Sequence, residues 1–313
     1  MFSLLACWRI ALSLDKIPLM KLRSPGSSFV AEVDGIDLRA PLLPAQVDAI
    51  NAAMDRYAVL VFRGQPLDDA QQTAFVQRFG PLQDERGGSI LRAEELRLPR
   101  VFGDISNLDT DGSMLAPDDR RRLFAAGNRL WHSDSSFRPV PPTYSILSAR
   151  VVPASGGDTE FADMRAAYDA LDQDARTEIE HLVVEHSLLY SRGLLGFTFS
   201  EEDRRSMLTA CQPLVRTLPG SGRKSLYLSS HAAAIEGWPL PLARVLLRDL
   251  TEHATQREFV HRHRWQVGDL VMWDNRVTMH RGRRYGEFDQ IRDLRRLSIA
   301  GDQPALDSQR APQ

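Results

Sequence analysis

The stretch Trp131-His132-Ser133-Asp134-Ser135-Ser136-Phe137 puts an imidazole and a carboxylate two residues apart. In an extended chain alternate side chains share a face, so His132 and Asp134 would project together and Ser133 away from them. That is part of a metal site, and a third ligand must come from elsewhere. His261 and His263 form a second alternating pair. Arg262 and Arg264 flank that pair and oppose a cation, so it reads as a solvated strand face. His181, His186 and His253 fall on or just after helical stretches and read as surface or packing residues. His231 follows a short strand with no partner nearby in sequence. His280 follows an apolar strand, a turn and the start of a second strand, where a jelly roll could return a late strand beside an early one. Spacing alone leaves the choice open. His132, Asp134 and His280 would make a two-histidine, one-carboxylate face with open coordination positions, the arrangement of non-haem Fe(II) oxygenases. The same ligands around a bound water would instead suit a zinc hydrolase, and a jelly roll with neither chemistry would be a binding protein.

An oxygenase using a 2-oxo acid also needs an anion site. Arg281, Arg283, Arg284, Arg292, Arg295 and Arg296 crowd the chain after His280. A planar guanidinium grips a carboxylate with two parallel hydrogen bonds, which lysine does not reproduce. Arg281, Arg283 and Arg284 read as a solvated basic strand. Arg292 and Arg296 share parity and would face one side of a regular strand. No dinucleotide glycine motif, phosphate-binding loop or nucleophile elbow occurs.

Several elements would position these residues. Tyr57 to Phe62, Tyr144 to Val152, Phe259 to Trp265, Asp269 to Trp273 and Leu294 to Ala300 read as strands, with Ser225 to Leu228 strand-like. Helical spacing covers Pro44 to Arg56, a stretch capped by Asp68 or Asp69 and running to Phe79, and Met164 to Leu171 capped by Asp163. A further helix is expected from Asp172 to about Val184. Another spans Leu240 to Ala254, with Val245, Leu246 and Leu250 on one side. Helices and strands do not alternate regularly, which argues against a parallel doubly wound sheet. The fold expected is mainly β with surrounding helices, a double-stranded β-helix or jelly roll. Residues 83–129 show little periodicity and lead into the His132 stretch, so they read as a lid or substrate insert.

The 313 residues are enough for one large domain. A hydrophobic share of 43% and a charged share of 26% fit a soluble globular chain. The net charge of −2 gives no electrostatic case for nucleic acid or an acidic membrane. Cys7 and Cys211 form no paired motif, which fits a reducing compartment and a cytoplasmic location. Residues 1–19 are interrupted by charge, too short to span a bilayer and without a signal-peptide cleavage pattern; they read as a leader outside the fold, ahead of Met20. The single domain is then 20–302, followed by a polar tail at 303–313.

The chain resembles the taurine dioxygenase family of Fe(II)- and 2-oxoglutarate-dependent dioxygenases, on the branch that includes the 2,4-dichlorophenoxyacetate (aryloxyalkanoate) dioxygenases. The matching stretches are Leu130 to Phe137, Ser155 to Leu171, Glu252 to Phe259, Gly268 to Arg276 and His280 to Tyr285. The resemblance implies that His132, Asp134 and His280 hold iron. It implies that Thr159 and Arg292 hold 2-oxoglutarate, with Arg295 a rival for the arginine. It implies that Arg296 and Asn128 face the organic acid being oxidised. The reaction it implies consumes O2, releases succinate and CO2, and hydroxylates carbon next to an ether oxygen. The hemiacetal formed collapses to a phenol and a 2-oxo acid. The same chemistry on a sulfonate or another carboxylic acid is the alternative. No membrane or nucleic-acid partner is implied, and a homo-oligomer is expected.

Overall fold

Apolar runs of strand length are buried on both faces, and this organises the molecule. In Val59–Phe62, Val59 and Val61 join one buried cluster while Leu60 and Phe62 join another. In Leu270–Asp274, Val271 and Trp273 divide from Leu270 and Met272 in the same way. Side chains alternate across a strand, so such runs require cover on both sides of the sheet. The computed structural model describes residues 20–84, 88–219 and 221–302. The leader (1–19) and the tail (303–313) lie outside the described residues.

The main sheet runs Lys21–Arg23, Val30–Asp34, Val59–Phe62, Leu270–Asp274, Tyr144–Val151, Asp293–Ser298, Gly103–Ser106. Its neighbours are antiparallel except Val30–Asp34 beside Val59–Phe62. One face packs on the helices Pro44–Tyr57 and Asp69–Val76 through Val47, Ile50, Met54 and Phe75. Asp68 caps the second helix by accepting from the Gln71 N–H. The other face meets a sheet of Val260–His263, Thr159–Asp163 and Thr278–Gly282, with Phe161 lying 5.5 Å from the Trp273 ring. A further antiparallel layer, Ala232–Ile235, Val183–Ser187 and Thr209–Pro213, is covered by the helix Leu240–Ala254. This is the expected jelly roll with helices around it.

Several expectations need correction. The helix after Asp172 covers only Gln173–Ile179; Val183-Val184 then enters a strand, because β-branched residues pack better on a sheet than in a helix. The helix Leu240–Ala254 buries Ala243, Leu247, Leu250 and Ala254, leaving Val245 half exposed. Residues 83–129 are less irregular than they read. Gly103–Ser106 is the edge strand of the main sheet, paired with Asp293–Ser298. Its single apolar residue, Ile105, leaves no alternation to detect. The His261/His263 face is not solvated: His263 is buried, 3.2 Å from Asp269 Oδ2, and His261 meets Phe29 edge-on. Arg262, on the opposite side, reaches out to Asp158.

His186 is likewise fully buried on a strand, its Nδ1 2.9 Å from Ser136 Oγ. Burial, reinforced by Arg216, depresses its pKa to about 3. The folded state therefore holds neutral His186, whereas the unfolded imidazole titrates near 6.5. Its contribution is complete above pH 6.5 and is lost as pH falls towards 3. We expect this one group to steepen acid destabilisation by up to about 1.4 kcal/mol per pH unit below 6.5. Calorimetric unfolding across pH 7 to 4.5 should show a shallower slope in His186→Gln; an unchanged slope would contradict a neutral buried imidazole.

Candidate active site

His132 and His280 meet as a backbone pair. The His132 N–H donates to the His280 carbonyl at 3.0 Å, and the His280 N–H returns the bond at 2.8 Å. The two rings then lie side by side, with centroids 4.2 Å apart. Only His132 follows the alternation expected of a strand. The chain turns at Asp134, and Ser135 adopts a left-handed φ of 48°. The turn still delivers the carboxylate: Asp134 Oδ1 lies 3.8 Å from Nε2 of each histidine. All three side chains are buried. Asp134 Oδ1 also accepts from Arg296 Nη1.

The surroundings fix each group. His132 Nδ1 lies 2.8 Å from the Leu130 carbonyl, which holds its proton there and leaves Nε2 as the lone pair facing Asp134. Asp134 Oδ2 accepts from Ser145 Oγ at 2.7 Å; Ser145 accepts from Asn275 Nδ2, whose Oδ1 accepts from Trp273 Nε1. Ser133 points away, donating to carbonyls of Leu228 and Thr278. Burial pushes His280 down to about 3, helped by His132, and lowers His132 too. Burial raises the Asp134 pKa, but Arg296, His280, His132 and Ser145 outweigh it and leave it at about 2. Two neutral imidazoles and an ionised carboxylate are the protonation states a divalent ion needs. A first-row ion about 2.1 Å from each donor requires donors roughly 3–4 Å apart; the carboxylate oxygen stands 3.8 Å from each imidazole nitrogen, and all three donors lie within 4.8 Å of one another.

Two cavities meet at this face. The smaller, about 120 Å³, is lined by His132, His280, Thr159, Tyr285, Arg292 and Arg296 among others. Arg292 is buried, and burial pushes it down to about 10, still cationic at neutral pH. Among the described residues no carboxylate pairs with it; it donates to the Ile105 carbonyl at 3.1 Å. Thr159 Oγ1 accepts from Trp265 Nε1 at 2.9 Å, which leaves its own proton to give. Arg295 is bound instead to Asp69 and Asp293. The larger cavity, about 550 Å³, is lined by His132, Asp134, Asn128, Arg192, His231 and Phe124 among others. Residues 83–129 supply much of its wall.

Sequence reasoning missed three of these residues. His231 does have a partner: its Nδ1 lies 2.8 Å from Ser191 Oγ, and its ring meets Phe137 at 4.9 Å. Trp265 and Tyr285 also escaped it, although Tyr285 ends a matching stretch. Arg281, taken as solvated, packs over Trp131 and pairs with Glu160 at 2.8 Å.

A jelly roll whose interior presents two histidines and one carboxylate on one face is built as a mononuclear non-haem oxygenase. The family description "Taurine catabolism dioxygenase TauD, TfdA family" matches residues 21–298. The chain is 52% identical over 278 residues to the alpha-ketoglutarate-dependent 2,4-dichlorophenoxyacetate dioxygenase of Cupriavidus pinatubonensis, covering 88% of this chain and 95% of that one. It is 37% identical over 273 residues to the (S)-phenoxypropionate/alpha-ketoglutarate-dioxygenase of Delftia acidovorans, covering 84% and 89%. The crystal structure of AAD-2 in complex with Mn(II) and N-oxalylglycine superposes with a TM-score of 0.89 at 55% identity, covering 92% and 99%. The chain belongs to the TauD/TfdA family and is a 2-oxoglutarate-dependent dioxygenase, an oxidoreductase.

The Ser145 hydroxyl holds Asp134 without touching the other two donors. Ser145→Ala is expected to weaken Mn(II) binding about 10- to 100-fold, read by electron paramagnetic resonance titration, with unchanged circular dichroism. Unaltered Mn(II) affinity would mean that the carboxylate is positioned by other groups.

Proposed function

We propose that this protein uses Fe(II), 2-oxoglutarate and O2 to hydroxylate an aryloxyalkanoate, which then breaks down to a phenol and a 2-oxo acid. The observation that carries this reading is Arg292, a buried cation with no carboxylate partner among the described residues, in a small cavity that opens on His132 and His280. A zinc hydrolase has no use for that cation. In this reading His132, Asp134 and His280 hold the metal. Bound iron supplies the activation of O2, whose oxygen atoms go one to succinate and one to the substrate carbon. Arg292 grips the distal carboxylate of 2-oxoglutarate, and Thr159, turned by Trp265, donates to the same group. Arg296 and Asn128 border the larger cavity and act on the substrate side. The aryloxy ring has apolar cover there from Phe124, Phe137 and Leu188.

The relatives that act on 2,4-dichlorophenoxyacetate and phenoxypropionate support the substrate class, and the Mn(II) and N-oxalylglycine of the AAD-2 complex are stand-ins for Fe(II) and 2-oxoglutarate. Residues 83–129 serve as the substrate-side insert, tied down where Arg120 meets Asp203 and where Arg129 meets Glu287. Among the described residues no helix is long and apolar enough to cross a membrane. The absence of paired cysteine motifs supports a cytoplasmic location. Exposed Leu240, Leu242 and Val245 along one helix support a homo-oligomer.

Anaerobic addition of Fe(II) and 2-oxoglutarate to the apo protein should give a visible charge-transfer band. Adding O2 and 2,4-dichlorophenoxyacetate should then release succinate and 2,4-dichlorophenol in equal amounts. No band and no succinate would sink the proposal; succinate with ethanesulfonate but not with the aryloxy acid would correct the substrate alone. Arg292→Gln should raise the KM for 2-oxoglutarate about 100-fold, the cost of removing one partner of a buried charge pair. Arg295→Gln should not, and an equal rise in both would overturn the assignment.

A further inference from the structure

One buried carboxamide grips the main chain of Arg292. Asn107 follows the edge strand Gly103–Ser106, is 3% exposed and borders the smaller cavity. It stands opposite Arg292, because Asp293 pairs with Ser106 and Leu294 with Ile105. In a hydrogen-bonded antiparallel pair the two residues exchange both N–H and carbonyl bonds. Here the main chain makes one of the two. The Asn107 N–H donates to the Arg292 carbonyl at 3.3 Å, while the Asn107 carbonyl turns aside and accepts from the Leu115 N–H at 2.9 Å. The side chain supplies the missing acceptor: Asn107 Oδ1 accepts from the Arg292 N–H at 2.9 Å.

The other end of the amide is used as well. Nδ2 donates to the Glu287 carbonyl at 3.0 Å and to the Gln290 carbonyl at 2.9 Å. Those carbonyls belong to the turn after Tyr285, and Tyr285 and Glu287 both line the smaller cavity. A carboxylate could not donate to them, and an aliphatic side chain would offer the Arg292 N–H no acceptor. One residue therefore holds Arg292 at its N–H and at its carbonyl, and the Arg292 guanidinium donates to the carbonyl of Ile105, two residues earlier. The strand on the other side does less. Its pairing with Tyr144–Val151 runs only to Asp293 and slips between Asp293 and Leu294.

We propose that Asn107 is a positioning residue for 2-oxoglutarate: it aims Arg292 and braces the turn that walls the co-substrate cavity. The proposal rests on the reading above that Arg292 grips the distal carboxylate. It makes the edge strand of the 83–129 segment part of the co-substrate site as well as of the sheet.

Binding tests it without turnover. The anaerobic Fe(II) protein is titrated with 2-oxoglutarate, or with pyruvate, which has the chelating end and no distal carboxylate, and the charge-transfer band is followed. Asn107→Ala should raise the Kd for 2-oxoglutarate about 10-fold, the scale of one buried hydrogen bond. It should leave the Kd for pyruvate and the affinity for Mn(II) unchanged. In the Arg292→Gln protein the same substitution should cost almost nothing further, because residues that act as a unit are not additive. Asn107→Ser should show the same selectivity with a smaller loss, and it decides the matter if the alanine variant does not fold. The proposal is overturned if 2-oxoglutarate and pyruvate weaken equally, or if the loss adds in full to that of Arg292→Gln, as a purely structural role predicts. If Arg292→Gln weakens 2-oxoglutarate and Asn107→Ala does not, this proposal alone fails. If Arg292→Gln itself keeps wild-type affinity, the assignment of Arg292 fails and takes the role of Asn107 with it.

Discussion

The site depends on two backbone hydrogen bonds. His132 and His280 lie far apart in the chain, and each gives its N–H to the other's carbonyl. Main-chain bonds do not rotate as side chains do, so this pairing sets the spacing of the two imidazoles before any metal arrives. It also relies on the strands behind it. Thr278–Gly282 is held by Thr159–Asp163, which carries Thr159 at its start. Leu270–Asp274 lies between Val59–Phe62 and Tyr144–Val151 and brings Trp273 and Ser145 to the carboxylate. Metal face and co-substrate cavity are therefore parts of one hydrogen-bonded lattice, and a shift in register would move them together.

Charge separates the arginines of this region by role. Arg97, Arg276 and Arg295 each sit against aspartates and fasten loops to strands. Arg296 is matched by Asp134. Arg292 and Arg192 are buried in front of cavities and have no acidic partner among the described residues. Protein interiors tolerate such groups at functional sites because the ligand supplies the missing charge. Counting arginines in the sequence could not make this division, since Arg292, Arg295 and Arg296 share one short segment.

What the sequence revealed follows from what leaves a periodic trace. Val59–Phe62, Leu270–Asp274 and Pro44–Tyr57 were legible because both-face burial and helical spacing mark the chain directly. Gly103–Ser106 and Ala232–Ile235 were not, since an edge strand of small residues carries no alternation. The start of Val183–Ser187 reads as the end of the preceding helix because Ile179 and Val183 continue a four-residue apolar spacing. The His132–Asp134 pair was visible as a spacing, but the argument from an extended chain holds only for His132. Asp134 is aimed by a turn and by Ser145, and neither is readable from two residues of spacing. His231 looked isolated because its partner, Ser191, is adjacent only in space.

The same division separates reaction from specificity. His132, His280 and Thr159 lie on strands or pair directly with one, Arg292 directly precedes one, and Asp134 is held by a strand residue, Ser145. The larger cavity is walled by Asn128 and Phe124 on two short helices, by Arg192 at the end of another short helix, and by His231 in a turn. Short helices and turns change length and direction with little effect on the sheet, so the same catalytic face can serve differently shaped acids.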